Sequence, residues 1–399
     1  MKKLIPFLIF SLFNFHFVNA QWTQVNSGLP YSGANTDVES FAFIGTKLFA
    51  ATDSGVSITT NNGTNWTGVN SGLTNTDIEV LAANGTNLFA GTGNGIFFST
   101  NNGSNWTAVD NGLNTSMGTS VYALFANGNN LFAGTEEGVF LTTNNGTNWT
   151  GVNNGLPITD VYAFALNGTN LFAGVLFSGV YLSTNSGTTW TPVNNGLPTG
   201  FNADFESFAV IGNNVFAGDL GGGIFLTTNN GTNWSAVNTG LTDLNVHALA
   251  VSGTNIFAGT DGGVFLSTNN GTSWTPVNTG LTNLNVQSLE VFGTNLFAGT
   301  GGGIFVAALS SLAGVNEMKN ENFQITIFPS PSNGIFTIKS NSTEKQLLQI
   351  FDVNGKIVLS QMIFKNAEIE ASNLSKGIYN ISISNNEVIE NRRLIIVKR

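Results

Sequence analysis

Seven short segments along the chain share an apolar frame and differ at the positions able to do chemistry. They are Asp37-Val-Glu39, Asp77-Ile-Glu79, Ser120-Val-Tyr122, Asp160-Val-Tyr162, Asp204-Phe-Glu206, Asn245-Val-His247 and Asn285-Val-Gln287. The third residue of each is polar or aromatic. Carboxylates such as Glu39, Glu79 and Glu206 accept hydroxyl hydrogens. Tyr122 and Tyr162 offer rings that stack on sugar faces or anchor a protein partner. Glu39 and Glu79, on consecutive segments, could act as acid and base in glycoside hydrolysis if their separation suited inversion or retention. His247 is the single histidine of residues 21–310 and forms no histidine-based metal site alone. The chain has no cysteine, which excludes disulfides, thiolate zinc sites, a cysteine nucleophile and a lipid-modified N-terminal cysteine. No metal and no cofactor are expected.

The elements that must position these residues repeat. The chain has seven tryptophans, Trp22, Trp66, Trp106, Trp149, Trp190, Trp234 and Trp274, at spacings of 44, 40, 43, 41, 44 and 40 residues. A period in the low forties is the mark of an array of four-stranded blades. In the clearest copy the strands read Val246–Val251, Asn255–Gly259, Gly263–Ser267 and Trp274–Val277, β-branched or aromatic and separated by Gly, Asn and Asp turns. The second-strand signature, Leu48-Phe-Ala to Leu296-Phe-Ala, recurs seven times, and so does the third strand. The turn before the tryptophan recurs six times, carried by Asn61, Gly63 and Trp66; Asn101, Gly103 and Trp106; Asn144, Gly146 and Trp149; Asn185, Gly187 and Trp190; Asn229, Gly231 and Trp234; and Asn269, Gly271 and Trp274. The mismatch predicts that an orphan fourth strand, Trp22–Val25, pairs with an orphan third strand, Gly303–Ala307. Residues 21–310 are thus expected to form a seven-bladed β-propeller with one-plus-three closure and no free sheet edge. The segments bearing Glu39 to Gln287 then begin the innermost strands and line the central channel. Their face also carries the irregular loops with Tyr31, Met117, Phe177 and Phe201.

In each of these six turns the Asn carboxamide can accept backbone N–H groups of the turn, Gly takes the φ > 0 position, and Trp wedges between neighbouring sheets. These residues are read as scaffold. Candidate ligand-binding residues are Glu39, Glu79, Tyr122, Tyr162, Phe177, Glu206, His247 and Gln287, on the face opposite these turns.

Charge divides the chain. Residues 21–310 hold fifteen acids against one base, Lys47, whereas residues 311–399 hold eight acids and ten bases. Such an acidic surface repels phosphate backbones and anionic membranes, so no nucleic-acid partner is expected. Met1-Lys-Lys, the apolar run Leu4–Val18 and Val18-Asn-Ala20 read as a signal peptide over residues 1–20. That run is under 18 residues and interrupted by Asn14 and His16, short of a membrane span. Residues 311–322 break the period and read as a linker. Residues 323–399 read as a small all-β, Ig-like sandwich, with strands expected at Gln324–Phe328, Gly334–Ile338, Lys345–Phe351, Lys356–Gln361, Gly377–Ile383 and Arg393–Val397.

The box, Ser/Thr-x-Asn-x-Gly-x-(Asn/Thr/Ser)-Trp, closely resembles the Asp-box of the BNR and sortilin-like repeat families, with Asn where Asp is more usual. That resemblance implies a fold shared by sialidases, xyloglucan-degrading glycosidases, sortilin-type receptors and photosystem assembly factors. A sialidase grips its substrate carboxylate with arginines, and residues 21–310 contain none. The basic patch of the photosystem factor is missing too, whereas an endoglucanase needs two facing carboxylates and stays open. The tail resembles the C-terminal sorting domain of type IX secretion substrates of the Bacteroidetes. It does so through Ile327-Phe-Pro-Ser-Pro-Ser-Asn-Gly-Ile-Phe-Thr-Ile338, Ile350-Phe-Asp-Val-Asn-Gly-Lys-Ile-Val358, Leu374-Ser-Lys-Gly-Ile-Tyr-Asn-Ile-Ser382 and Arg393-Leu-Ile-Ile-Val-Lys398. It departs in having Phe-Pro-Ser-Pro where the family usually has Tyr-Pro-Asn-Pro. The resemblance implies export by the type IX machinery, removal of the tail, and release or attachment at the cell surface. The expectation is a secreted or surface-exposed monomeric binding or adhesion module for a glycan or protein ligand. The alternative is a polysaccharide hydrolase of the same fold using Glu39 and Glu79.

Overall fold

The computed structural model describes residues 21–30, 36–113, 119–312, 325–328, 332–340, 345–351, 357–384 and 389–397. The expected signal peptide, most of the expected linker, and the loop residues Tyr31 and Met117 lie outside them. The chain divides into two compact units, residues 1–313 and 314–399. Among the described residues no helix is long and apolar enough to cross a membrane.

The first unit contains seven four-stranded antiparallel sheets. The first consists of Val38–Ile44, Lys47–Thr52, Gly55–Thr59 and Thr67–Gly68. Five more follow the same plan. The seventh takes three strands from the end of the unit, Val286–Phe292, Asn295–Thr300 and Gly303–Ala308, and its fourth from Trp22–Gln24. The register there is Trp22↔Ala307, Thr23↔Val306 and Gln24↔Phe305. The leading strands of consecutive sheets lie side by side, and that of the seventh lies beside that of the first. Ser288 Oγ donates to the Val38 carbonyl over 2.6 Å, and the rings of Phe41 and Phe297 sit 6.3 Å apart.

Sequence decides each strand's layer. The second strand, Leu-Phe-Ala-Gly-Thr in three copies and close to it in the others, is buried on both faces, as a continuous apolar run must be when packed between two sheets. In six of the sheets the fourth strand is two exposed residues, and two copies end in proline, Pro192 and Pro276, which only an edge tolerates. It is shorter than the expected Trp274–Val277 because the Trp274 N–H leaves its own sheet to bond the Thr239 carbonyl at 2.8 Å.

Apolar clusters form between sheets. One joins Phe49, Ala51 and Val56 of the first sheet to Leu88, Phe97 and Trp106 of the second. Each of the seven clusters of this unit holds one tryptophan, among the described residues. Every indole N–H donates to the valine carbonyl that closes the preceding fourth strand, from Trp66 to Val25 at 2.8 Å through Trp274 to Val237 at 2.7 Å and Trp22 to Val277 at 2.6 Å. Before it, the Asn61 carboxamide accepts the Asn65 N–H at 3.0 Å, and Thr59 Oγ1 accepts the Gly63 N–H at 3.0 Å. Asn62 (φ 54°) as well as Gly63 (φ 82°) adopts a left-handed conformation, so the turn uses two such residues where one was expected.

The second unit packs a three-stranded sheet, Ile325–Phe328, Ile335–Ser340 and Ala367–Glu370, against a four-stranded one, Ile357–Phe364, Lys345–Phe351, Gly377–Ser384 and Ile389–Ile396. Alternate residues such as Phe336 and Ile338, Leu348 and Ile350, and Ile381 and Ile383 fill its core. Ala367–Glu370 was not expected: with one buried apolar residue, Ile369, it is too short to show alternation. The last strand also begins earlier than Arg393.

Candidate functional site

One device places all seven varying residues in the first unit. In every leading strand the register against the second strand slips by one residue, between Val38 and Ser40, Ile78 and Val80, Val121 and Ala123, Val161 and Ala163, Phe205 and Ser207, Val246 and Ala248, and Val286 and Ser288. The unpaired residue in each bulge is Glu39, Glu79, Tyr122, Tyr162, Glu206, His247 or Gln287. A bulge re-aims a side chain out of the ladder. All seven line one cavity of about 280 Å³. Two residues further along six of the seven strands Phe41, Leu124, Phe164, Phe208, Leu249 and Leu289 also line it, giving a polar cup an apolar base.

Around the cup the residues fall into pairs. Tyr122 and Tyr162 sit with ring centroids 4.9 Å apart, tilted by 58°, and the Tyr162 hydroxyl donates to Asp160 Oδ2 at 3.0 Å. His247 is held from both sides, Nδ1 at 3.0 Å from Glu206 Oε2 and Nε2 at 3.0 Å from Asp261 Oδ1. Burial opposes its charge, but the hydrogen bonds and charges of the two carboxylates outweigh burial and hold its pKa up at about 9. The imidazolium donates through both nitrogens. Asp261 also accepts from Asn245 Nδ2 at 2.7 Å and Asn285 Nδ2 at 3.1 Å.

Across the cup the acids crowd one another. Burial, then Asp37, Glu79 and Asp53, push Glu39 up to about 7, and burial with Asp77 and Asp53 raises Glu79. Carboxylate oxygens of Asp37, Glu39 and Asp53 come within 4.8 Å of one another. Burial, then Glu206 and Asp160, push Asp204 to about 6, and burial takes Asp219, which is wholly enclosed, to about 6. Such a cup favours ligands that bring hydrogen-bond donors or positive charge.

Phe177 is not part of the cavity lining. It takes a left-handed φ of 56° and packs edge-on against Phe201, centroids 5.0 Å apart, with Phe201 86% exposed. The sequence reading missed Asp261 and Asp53 as members of the site. Both occupy the turn between second and third strands, where the copies vary as they do at the bulge, and that variation was the available signal.

Residues 326–398 match the family described as the secretion system C-terminal sorting domain, and residues 16–120 and 215–356 match the family described as the DUF6242 beta propeller domain. No curated protein matches the sequence. Among solved structures the chain resembles the extracellular domain of what is named a hybrid two component system from B. thetaiotaomicron, with 16% identity and a TM-score of 0.61 over 80% of this chain and 44% of that one. It also resembles PorZ, a surface component of the type IX secretion system of Porphyromonas gingivalis, with 17% identity and a TM-score of 0.56 over 93% and 61%. A third likeness is to the GH74 enzyme of Niastella koreensis, with 21% identity and a TM-score of 0.51 over 70% and 44%. The chain spans less than two thirds of the length of each, and these identities show the fold alone. The four-stranded sheets are of the propeller-like kind seen in them. The tail marks the chain for the type IX secretion machinery and for a secreted or surface location. With more than half its length matched, the chain belongs to the DUF6242 beta propeller domain family and ends in a secretion system C-terminal sorting domain.

Proposed function

We propose that the seven sheets form a closed seven-bladed propeller with one-plus-three closure at Trp22, and that this propeller is an exported binding module. Its ligand, a glycan or the polar surface of a protein, enters the cup formed by the bulged residues. One observation carries the reading: seven equivalent bulges deliver seven side chains that change from copy to copy into one cavity. Within it the Tyr122–Tyr162 pair supplies a stacking surface, and Glu39, Glu79, Glu206 and Gln287 supply acceptors. The six Asn-Gly-Trp turns, read as Asp-boxes of a Bacteroidetes protein, act as scaffold, in keeping with side chains committed to their own turns. The test is a panel of plant and microbial glycans and surface proteins offered to residues 21–313. Retention without cleavage, abolished in the triple variant Tyr122→Ala, Tyr162→Ala, Glu206→Ala, supports the reading. Unchanged affinity in that variant sinks the site.

A second reading, polysaccharide hydrolysis, draws on one specific feature. Glu39, held up at about 7 beside Glu79, has the proton affinity of a general acid next to a candidate base. Hydrolysis predicts new reducing ends that disappear in Glu39→Gln. Bound but intact glycan eliminates it.

A further inference from the structure

A second cavity of about 360 Å³ lies toward the other end of the leading strands, where the first hairpins turn. Its wall is apolar and partly aromatic: Phe41, Phe43, Leu81, Leu124 and Phe125, with alanines between. Glu290 is the single ionisable side chain among its lining residues. The position is exceptional within the repeat. Glu290 pairs with Phe297 in the seventh sheet, where Ala42 pairs with Phe49, Ala82 with Phe89, Ala165 with Phe172, Ala209 with Phe216 and Ala250 with Phe257. Five sheets therefore fold with alanine there, and the fold has no need of an acid. Among the described residues no cation is paired with Glu290. Burial pushes its pKa up to about 7, against the pull of the Val291 N–H. A carboxyl group largely buried in such a wall with no cation beside it is costly to ionise, and a positive charge placed against it would offset that cost.

We propose that this cavity binds a small organic ammonium ion with an aryl or alkyl body, its charge set against the Glu290 carboxylate and its body among the phenylalanines. The chemistry selects this class. A divalent cation needs about six oxygen ligands, which one carboxylate in an apolar wall does not supply. An anion meets the wrong sign. Aromatic rings beside a carboxylate attract an ammonium through their π faces as well as by charge. Phe43, a lining residue 47% exposed and 5.8 Å from the ring of Phe292, leaves an aromatic face of the wall open to solvent. The volume is in the range of small-molecule sites, roughly 300–1,000 Å³.

The experiment titrates the whole chain calorimetrically with phenethylammonium and, separately, with 2-phenylethanol, its neutral counterpart. The ammonium is expected to bind at least about tenfold more tightly than the alcohol. Glu290→Ala, which restores the residue of five other sheets, is expected to fold and to lose that preference, and Glu290→Gln to do the same with the volume kept. Equal affinity for the two probes overturns the proposal. So does undiminished ammonium binding in both variants, or no binding of ammonium at concentrations on the order of 10 mM.

Discussion

His247 shows how a single position differs from its six equivalents in consequence and not only in type. Its ring nitrogens face Glu206 and Asp261, each at 3.0 Å, and tie the fifth sheet's leading strand to a turn of the sixth. The pair of acids holds the proton on, so His247 stays charged where an ordinary histidine has lost its proton. NMR titration of the ring is expected to place its midpoint near 9, well above 6.5, and a midpoint at or below 6.5 rules the clamp out. Replacing it by glutamine leaves Glu206 and Asp261 with a neutral partner. Because both acids are partly exposed, solvent screening limits the cost to about 1 kcal/mol, read as a lower denaturant midpoint. A larger loss would mean that His247 also packs, not merely pairs.

Among the strands, the short N-terminal one has the greatest leverage. Trp22 is wholly buried, fills the cluster between the sixth and seventh sheets, and donates to Val277. Trp22→Ala should cost about 3–5 kcal/mol, the usual range for emptying a large aromatic site. Trp22→Phe keeps most of the volume and should cost about 1 kcal/mol for the lost hydrogen bond. Deleting residues 21–25 uncovers the edge of Gly303–Ala308, and light scattering should then report association; a fully monomeric, equally stable deletion would show that this pairing is dispensable. These strands were legible in the sequence because tryptophan, glycine and the Leu-Phe-Ala run recur with a fixed phase, so counting copies exposed the missing turn. The bulges were not legible. A bulge leaves no mark on an apolar-polar alternation seven residues long, and it shows only when Val38 pairs with Thr52 and Ser40 with Ala51. The candidate site was half visible for the same reason: Glu39 to Gln287 vary in phase, but Asp261 joins His247 from fourteen residues away through a turn whose direction the sequence does not state. Phe177 varies as strongly and turns elsewhere.

Taken together, the acids of the first unit give the protein a pH dependence of stability with a definite sign. Burial alone pushes Glu290 up to about 7, and burial with neighbouring acids behind it pushes Glu39 to about 7 and Asp204 and Asp219 to about 6. His247 is held at about 9. Each of these groups binds its proton more tightly in the folded than in the unfolded chain, and stability falls with rising pH wherever the folded state holds more protons. For the carboxylates the fall begins above their ordinary range, about 4, and is complete once each passes its folded value near 6 or 7. For His247 the contribution is whole below 6.5 and is lost as the pH rises through about 9. Asp261, lowered by Asn245 and His247 against the opposing effect of burial, runs the other way and weakens the fold only in acid. The first unit should therefore be most stable in mildly acidic solution, with a melting temperature at least about 5 °C higher near pH 5 than near pH 9 for a unit of this size. Glu290→Ala should flatten that slope between about pH 4 and 7, because the unfolded chain then no longer gains from releasing that proton. Calorimetric scans of residues 21–313 across this range decide it, and a melting temperature that is level or rises toward alkaline pH would mean that the crowded carboxylates of the cup relax into solvent rather than share protons.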